Sequence, residues 1–385
     1  MGIVDDDVAA ASPREDRAGQ PPETAPGQLP KAGTLTLAEA QRQWDVEPGY
    51  LDTTSYGPPP RRAWDDLQVS LDAWRRGTTP WRTWIATVER SRELFAALVH
   101  ARPGEVATGA AVSQLLAPVA QALPDGAQVL VPDIEFTSGI FPFAVHADRG
   151  IEVRTAPLSR LAEAITADTD LISVSAAQSS TGEVADLAAI TCRAQEVGAI
   201  VVVDATQAAG WLPLDASGID VLVAAAYKWL CAPRGTAFLA IHPELRARHE
   251  EYAARLKPLA AGWFAGEGDA VYGMPLRLAE DARAFDISPA WHSWVGTAPA
   301  LETLLAVGVE TIHEHDVGLA NAFRTGIGLE ESDSAIVAVD LPDDALARLR
   351  AAGVRFSIVA ARARFAFHLY TTDADVATAL EAVRG

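Results

Sequence analysis

The sequence predicts an α/β protein in which a mainly parallel sheet is covered by helices on both faces. Two observations support this fold class. Apolar runs of strand length, interrupted only by Ser173, occur at 129–131, 171–174, 200–203, 221–224 and 237–241. Longer amphipathic segments, such as 184–197, separate them. Short buried strands that alternate with helices are typical of βαβ units.

The chain is long enough for one large domain and a smaller one. It has 385 residues, of which 49% are hydrophobic and 21% charged, and this is ample for a buried core. Residues 1–34 are rich in Pro, Gly, Ala and acidic residues and carry almost no large apolar side chains. Such a segment cannot offset its own ordering entropy, so we expect a disordered leader. Residues 35–262 are predicted to form the large α/β domain.

The pattern changes after Trp263. A stretch punctuated by Pro and Gly extends to about Gly296 and is followed by a helical run near 297–314, apolar strands at 335–339 and 365–369, and a final helix from Asp373. We therefore expect residues 263–385 to form a smaller α+β domain.

The charge balance excludes two classes of partner. The formal net charge is -20 and the pI is about 4.7. Nucleic acids and anionic membranes are polyanions and would repel such a chain, so we expect neither as a partner. No apolar stretch approaches the roughly 20 residues that span a bilayer. The N-terminus carries three aspartates where a signal peptide would be basic.

Cysteines and histidines do not predict a metal site. Cys192 and Cys231 are the two cysteines, and they provide neither a disulfide framework nor metal-ligand spacing. His313 and His315 are close in sequence, but on a predicted helix their side chains point in different directions. We expect a cytoplasmic protein without a metal ion.

Lys228 and Asp204 suggest the chemistry. Asp204 directly follows the apolar run 200–203, and Lys228 comes after the segment 219–226, which is apolar except for Asp220. Because α/β proteins bind ligands at the carboxyl ends of their strands, this amine and this carboxylate are expected to hold two ends of one flat cofactor. Pyridoxal phosphate needs such a pair. Its aldehyde forms a Schiff base with a lysine, and its ring nitrogen needs an acidic partner.

The wider motif resembles a known family. An Asp-Ala-Thr-Gln segment at 204–207 precedes a Tyr-Lys-Trp-Leu-Cys-Ala-Pro-Arg-Gly segment at 227–235. This combination resembles the class V aminotransferase superfamily of fold-type I pyridoxal phosphate enzymes. Within it, the lysine segment is most similar to isopenicillin N epimerase-like proteins, and the tyrosine before the lysine is similar to kynureninase; the cysteine desulfurase-like branch is related as well. The resemblance implies a seven-stranded sheet in the large domain.

The resemblance also implies roles for four residues around the cofactor. Lys228 would form the Schiff base and then move the substrate Cα proton, helped by a pKa that burial lowers. Asp204 would pair with the ring nitrogen, and Gln207 would donate to the phenolic oxygen. Phe136 occupies the position of the aromatic residue that stacks on the ring.

The phosphate group is expected at the start of the helix that begins near residues 110–113, where free amides and the helix dipole favour an anion. Relatives carry threonines at the positions of Ala111 and Val112 and usually serine at that of Ala225, so side-chain contacts are lost and the Tyr227 hydroxyl could compensate. Thr297 resembles a threonine that reaches the phosphate of the neighbouring subunit. This implies a homodimer with shared sites.

Arg364 matches the family arginine that binds the substrate α-carboxylate, because its planar fork can hold both carboxylate oxygens. Arg362 is the competing candidate. Residues 354–363 contain no cysteine, which argues against persulfide-forming desulfuration.

The reaction itself stays open at the level of sequence. Elimination or retro-aldol-type cleavage and transamination are together favoured over epimerisation, because epimerisation usually needs a second base on the opposite face and none is identifiable. A nicotinamide-dependent Rossmann enzyme would share the alternating pattern, but no Gly-x-Gly-x-x-Gly follows a strand. A degenerate binding protein of the same fold is the other alternative. The loss of phosphate-contacting side chains favours it, whereas Lys228, Asp204 and Arg364 argue against it.

Overall fold

The computed structural model describes residues 28–79, 81–268 and 271–385. Most of the expected disordered leader, residues 1–34, therefore lies outside the described residues. Residues 28–34 form turns and coil without helix or strand. The disorder of the leader stays a prediction.

A seven-stranded sheet forms the centre of the protein, in the order β1-β7-β6-β5-β4-β2-β3. Its strands are β1 (Val106–Gly109), β2 (Gln128–Pro132), β3 (Glu152–Ala156), β4 (Leu171–Ser175), β5 (Ile200–Asp204), β6 (Val221–Ala225) and β7 (Ala237–Ile241). Neighbours from β3 to β6 are parallel, whereas β7 is antiparallel to both β1 and β6. The mainly parallel, seven-stranded sheet is confirmed.

The five apolar runs all form strands, and two further strands escaped the sequence pattern. β1 is short and ends in glycine, and β3 lies at the edge of the sheet, where its residues are partly exposed. Neither strand therefore shows the continuous apolar run that identifies a strand buried on both faces.

Thirteen α-helices occur in the described part of the chain. They are α1 (Leu37–Gln41), α2 (Arg61–Arg75), α3 (Trp81–Leu98), α4 (Val112–Gln121), α5 (Phe141–Ala144), α6 (Leu161–Ala164), α7 (Leu187–Val197), α8 (Leu245–Arg248), α9 (Glu250–Arg255), α10 (Trp291–Val307), α11 (Val309–Gly326), α12 (Asp343–Ala351) and α13 (Asp373–Arg384). α7 shows why a helix begins and ends where it does. The Asp186 side chain accepts a hydrogen bond from the Ala189 amide, and Gly198 ends the helix in a left-handed conformation.

The sheet separates two apolar layers. Val201 and Val203 of β5 belong to the larger layer, and Ile200 and Val202 belong to the smaller one. Successive side chains of a strand point to opposite faces, so one apolar run contributes to both layers. The expectation of a sheet covered on both faces is confirmed.

The C-terminal part contains a second, antiparallel sheet in the order β8-β10-β9. Its strands are β8 (Ile336–Val339), β9 (Ser357–Val359) and β10 (Arg362–Ala366). β8 and α13 lie where the sequence predicts them, and β10 begins three residues before the predicted run. The helical run expected near 297–314 is two helices, α10 and α11, because Gly308 adopts φ +97° between them. The boundary between residues 262 and 263 stays a prediction.

Within the described residues, no single helix has the length and hydropathy to cross a membrane, although α10 and α11 meet that test together as a pair bent by 83°.

A buried ion pair ties α3 to the sheet. Arg92 Nη2 lies 2.7 Å from Asp286 Oδ2, and both side chains are almost fully buried. Asp286 Oδ1 also accepts hydrogen bonds from the amide and the hydroxyl of Thr108 in β1. One carboxylate therefore connects α3, β1 and the segment that contains Asp286.

Candidate active site

A cavity of about 260 Å³ lies at the carboxyl ends of the parallel strands. Seven of the residues singled out in the sequence line it: Lys228, Asp204, Gln207, Phe136, Ala111, Val112 and Tyr227. Ser138, Ser175, Ser179, Thr206, Ala225 and Arg234 are further lining residues. Thr297 and Arg364 do not line it.

The topology of the sheet explains why these residues meet. Asp204 is the last residue of β5, and Ala225 is the last residue of β6. Ser175 ends β4 and pairs with Asp204 in register. The Ala225 amide donates a hydrogen bond to Thr206 Oγ1 at 2.9 Å, which links the two strand ends. Parallel strands present their carboxyl ends at one edge, where ligands bind in open α/β sheets.

A larger cavity, of about 650 Å³, lies at the opposite edge of the sheet. Ile241, at the end of the antiparallel strand β7, lines it, and none of the residues singled out in the sequence does. The candidate site is therefore not the cavity of greater volume. The chemistry of the lining residues favours the smaller cavity instead.

Lys228 is almost completely buried, at 7% exposure. Its Nζ lies 5.6 Å from the centre of the Phe136 ring and 5.8 Å from that of Tyr227. Burial lowers the pKa of this amine to about 8. The Asp204 carboxylate raises this pKa, whereas the guanidinium groups of Arg364 and Arg234 lower it further. About one amine in ten is then unprotonated at pH 7, several hundred times the fraction of an ordinary lysine.

Two distant segments hold the turn that carries Lys228. The Gly57 amide donates to the Tyr227 carbonyl at 2.8 Å, and a Cβ at Gly57 would lie 1.9 Å from the Lys228 carbonyl oxygen. Only glycine fits this close approach. From the C-terminal side, His368 Nε2 lies 2.9 Å from the Trp229 carbonyl oxygen. The position of the amine therefore depends on both ends of the chain.

Asp204 is buried at the end of β5 and faces the cavity. Burial raises the pKa of its carboxyl to about 6, and the Glu135 carboxylate adds to the rise. The Thr206 amide, which donates to Oδ1 at 2.8 Å, and the Lys228 amine lower this pKa. No ion-pair partner lies within 4.0 Å of it among the described residues. A protonated ring nitrogen in the cavity would supply that partner, so Asp204 and Lys228 fit pyridoxal phosphate.

Glu135 belongs to the site, although the sequence analysis gave it no role. Its carboxylate accepts hydrogen bonds from the Phe136 amide at 2.7 Å, from the Ser175 amide at 2.7 Å and from Gln178 Nε2 at 2.9 Å. These bonds fix the loop after β2 against the end of β4. An acidic residue directly before Phe136, three residues after the end of the apolar strand β2, was the signal in the sequence.

Gln207 and Phe136 lie on the walls of the cavity. Gln207 Nε2 donates to the Thr54 carbonyl and to Ser179 Oγ, each at 3.1 Å, and Oε1 accepts from Trp229 Nε1 at 2.8 Å. Both amide hydrogens therefore already have acceptors in the protein. The Phe136 ring is half exposed towards the cavity, as a stacking surface would be. Donation to the phenolic oxygen stays a prediction for Gln207.

The structure distinguishes the two arginines of β10. Arg364 is 5% exposed. Its Nη1 donates to Ser179 Oγ at 3.0 Å and its Nε donates to Ser357 Oγ at 3.0 Å, whereas Nη2 has no hydrogen-bond acceptor among the described residues. Arg362 is exposed beside Asp340. Arg364 therefore reaches the wall of the cavity through Ser179, and Arg362 does not.

The remaining site residues lie at two places. Ala111 is the N-cap residue of α4, and its side chain makes no hydrogen bond to the helix. The first backbone amides of α4 therefore have no acceptor from this side chain, and Ala111 and Val112 both line the cavity. Thr297 is fully buried in α10, where its hydroxyl donates to the Ser293 carbonyl at 2.9 Å. Its contact with a neighbouring subunit stays a prediction.

No group of three or more His, Cys, Asp or Glu side chains suited to a metal ion occurs in residues 28–79, 81–268 and 271–385.

Comparison with known proteins gives a consistent result. The sequence profile of aminotransferase class-V matches residues 73–363. An uncharacterised aminotransferase of Bacillus subtilis is 33% identical over 267 residues, which are 67% of this chain and 68% of that protein. A kynureninase of Deinococcus radiodurans is 28% identical over 320 residues, covering 77% and 73% of the two chains. An isopenicillin N epimerase of Amycolatopsis lactamdurans is 31% identical over 231 residues, covering 52% and 56%.

The solved structures show the same fold. A variant of C-DES with glycine covalently linked to its PLP cofactor superimposes with a TM-score of 0.79 at 20% identity, over 89% of this chain and 98% of that one. At this identity the likeness supports the fold alone.

Proposed function

Because the chain belongs to the aminotransferase class-V family and is a pyridoxal phosphate-dependent enzyme, we propose that it acts on an α-amino acid in the cavity around Lys228. The reaction we propose is of the lyase or aminotransferase type. One observation carries the proposal: a buried amine with a pKa of about 8 and a buried carboxyl with a pKa of about 6 line one cavity. Opposed shifts of this kind are typical of acid and base groups in active sites.

Each residue then has a chemical task. Pyridoxal phosphate, when bound, withdraws electrons from the Cα of an amino acid attached to its aldehyde carbon. Lys228 Nζ would hold this aldehyde, and once released it would be basic enough to take the Cα proton. Asp204 would keep the proton on the ring nitrogen. Phe136 would provide a stacking surface for the ring.

Arg364 is the proposed binding group for the substrate α-carboxylate. Its Nη2 has no hydrogen-bond acceptor among the described residues, and Ser179 connects its Nη1 to the wall of the cavity. A guanidinium that binds the carboxylate also decides which Cα bond stands perpendicular to the cofactor ring. The orientation of the substrate at this guanidinium therefore decides which of its Cα bonds is broken.

Epimerisation is the second candidate, and the similarity to isopenicillin N epimerase supports it. An epimerase usually needs one base on each face of the substrate. Apart from Lys228, the titratable side chains among the described lining residues are Asp204, Tyr227 and Arg234. Asp204 is assigned to the ring nitrogen, which leaves no histidine or second carboxylate on the opposite face. We therefore favour lyase or aminotransferase chemistry.

A homodimer with shared sites and a cytoplasmic location stay predictions. Sedimentation velocity of the purified protein tests the first, and a sedimentation coefficient that corresponds to the monomer at micromolar concentration would contradict it.

The attachment of the cofactor can be tested sharply because the chain has only three lysines, Lys31, Lys228 and Lys257. Reduction of the enzyme with borohydride, followed by peptide mass mapping, should place the pyridoxyl group on Lys228. Lys257→Ala should label like the parent, and Lys228→Ala should not label. A label on Lys31 or Lys257 in the parent would contradict the proposed site.

The reaction type can be tested with a panel of amino acids. Release of ammonia and an oxo acid without an amino acceptor indicates a lyase, dependence on a 2-oxo acid acceptor indicates an aminotransferase, and conversion between L and D forms indicates an epimerase. The third result would overturn our preference. A holoenzyme that converts no amino acid in the panel by any of these routes would count against the proposed activity.

A further inference from the structure

Arg234 lines the same cavity as Lys228, and neither the motif nor the proposed chemistry gives it a role. We propose that Arg234 binds the phosphate group of pyridoxal phosphate and replaces the side-chain hydroxyls that Ala111, Val112 and Ala225 do not provide. The inference rests on the proposed site around Lys228. It adds a cofactor-binding residue to that site.

The first argument is the absence of a hydroxyl at three lining positions, two at the start of α4 and one at the end of β6. Ala111 and Val112 at the start of α4, and Ala225 at the end of β6, have no polar side-chain atoms. The α4 terminus provides backbone amides and a partial positive charge equivalent to about half an elementary charge. A phosphate monoester carries about two negative charges near neutral pH. Amides alone therefore compensate only part of it.

The second argument is the charge balance among the described lining residues. The cationic side chains are Lys228 and Arg234, and the acidic one is Asp204. Lys228 would be engaged by the aldehyde group, and Asp204 by the ring nitrogen, in the proposed site. Arg234 then remains as the cation for the phosphate. A guanidinium binds phosphate through two parallel hydrogen bonds and is the preferred side chain for this task.

The third argument is that the Arg234 side chain is already oriented. Its guanidinium lies over the Tyr227 ring, 4.1 Å from the ring centre. Its carbonyl oxygen accepts a hydrogen bond from Ser293 Oγ at 2.9 Å, which holds the backbone. No carboxylate lies within 4.0 Å of the guanidinium among the described residues. An oriented arginine without an acidic partner is available for an anionic ligand.

The experiment compares two ligands that differ only in the phosphate. Pyridoxal phosphate and pyridoxal both carry the aldehyde that joins a lysine, and pyridoxal lacks the phosphate. Apoenzyme is titrated with each ligand, and the dissociation constants are measured from the change in absorbance, without any turnover. The variants are Arg234→Gln, which removes the charge, and Arg234→Lys, which keeps the charge but loses the fork. Arg160→Gln is the matched control, because Arg160 is exposed and pairs only with Glu163.

We expect Arg234→Gln to weaken pyridoxal phosphate binding by about 10- to 100-fold, as for the loss of a hydrogen-bonded charge. Binding of pyridoxal should change less than about twofold. Arg234→Lys should lie between the parent and Arg234→Gln, and Arg160→Gln should bind both ligands like the parent.

Two results would overturn the inference alone. Equal losses of affinity for both ligands in Arg234→Gln would mean that Arg234 acts through Lys228 or the fold. Unchanged affinity of this variant for pyridoxal phosphate would mean that Arg234 does not contact the phosphate. A parent apoenzyme that binds neither ligand at Lys228 would overturn the proposed site and the inference together. Borohydride labelling of the parent separates this case from the first two.

Discussion

Replacement of Asp204 by asparagine should make the apoenzyme more stable above pH 6. The carboxyl is buried at the end of β5, and burial raises its pKa from 3.8 to about 6. The folded apoenzyme therefore has to bury a charge at neutral pH that the unfolded chain exposes to water. Asparagine keeps the shape of the side chain, and its carbonyl oxygen can still accept the Thr206 amide, but it carries no charge.

The magnitude follows from the linkage between protonation and folding. A group whose pKa is higher in the folded state stabilises the fold below its unfolded pKa, and this contribution is lost as the pH rises through the folded pKa. The rise from 3.8 to about 6 corresponds to about 3 kcal/mol at pH 8. About half of this stabilisation of the fold is already lost at pH 5.

Urea unfolding of the two apoenzymes at pH 5 and pH 8 measures the effect. Between these pH values, the parent should lose about 1.4 kcal/mol more free energy of unfolding than Asp204→Asn. Titrating groups that do not interact with Asp204 are shared, so they cancel in the comparison. A difference between the two proteins that does not change with pH would refute the burial argument. In the holoenzyme the order should reverse, because the cofactor ring nitrogen gives the carboxylate a cationic partner.

Three further predictions use other parts of the structure. Lys228→Ala should abolish the visible absorption of the bound cofactor and turnover, whereas Lys257→Ala should keep both, as spectra and assays will show; normal turnover of Lys228→Ala would contradict the assignment. Arg364→Lys should leave the resting spectrum unchanged and weaken amino-acid binding by ~2 to 4 kcal/mol in a spectral titration, because a point charge replaces a planar fork; the same loss in Arg362→Lys instead would move the carboxylate site to Arg362. Asp286→Ala should lower the free energy of unfolding by about 1 to 3 kcal/mol, because it leaves the buried Thr108 amide without its acceptor and Arg92 with only the half-exposed carboxylate of Glu89 as an ionic partner, whereas Asp340→Ala, at an exposed pair with Arg362, should have little effect on urea unfolding.

The sequence alone predicted five of the seven strands of the large sheet and indicated the two groups that we propose to react. The apolar runs that became β2, β4, β5, β6 and β7 are local patterns, and buried strands require such runs wherever they lie. Asp204 and Lys228 could be paired because each follows a buried strand, and parallel strands present their carboxyl ends at one edge. The family resemblance gave the cofactor, which the family membership supports.

Only the tertiary structure decided the direction of β7, which is antiparallel although its apolar run looks like the others. It also placed Arg364 at the wall of the cavity and Arg362 at the surface, although both lie in the same strand. Gly57, Glu135 and Arg234 joined the site for the same reason. Their contacts are with residues from other segments of the chain, and a local pattern of apolar and polar residues contains no information about which distant segment will pack against it.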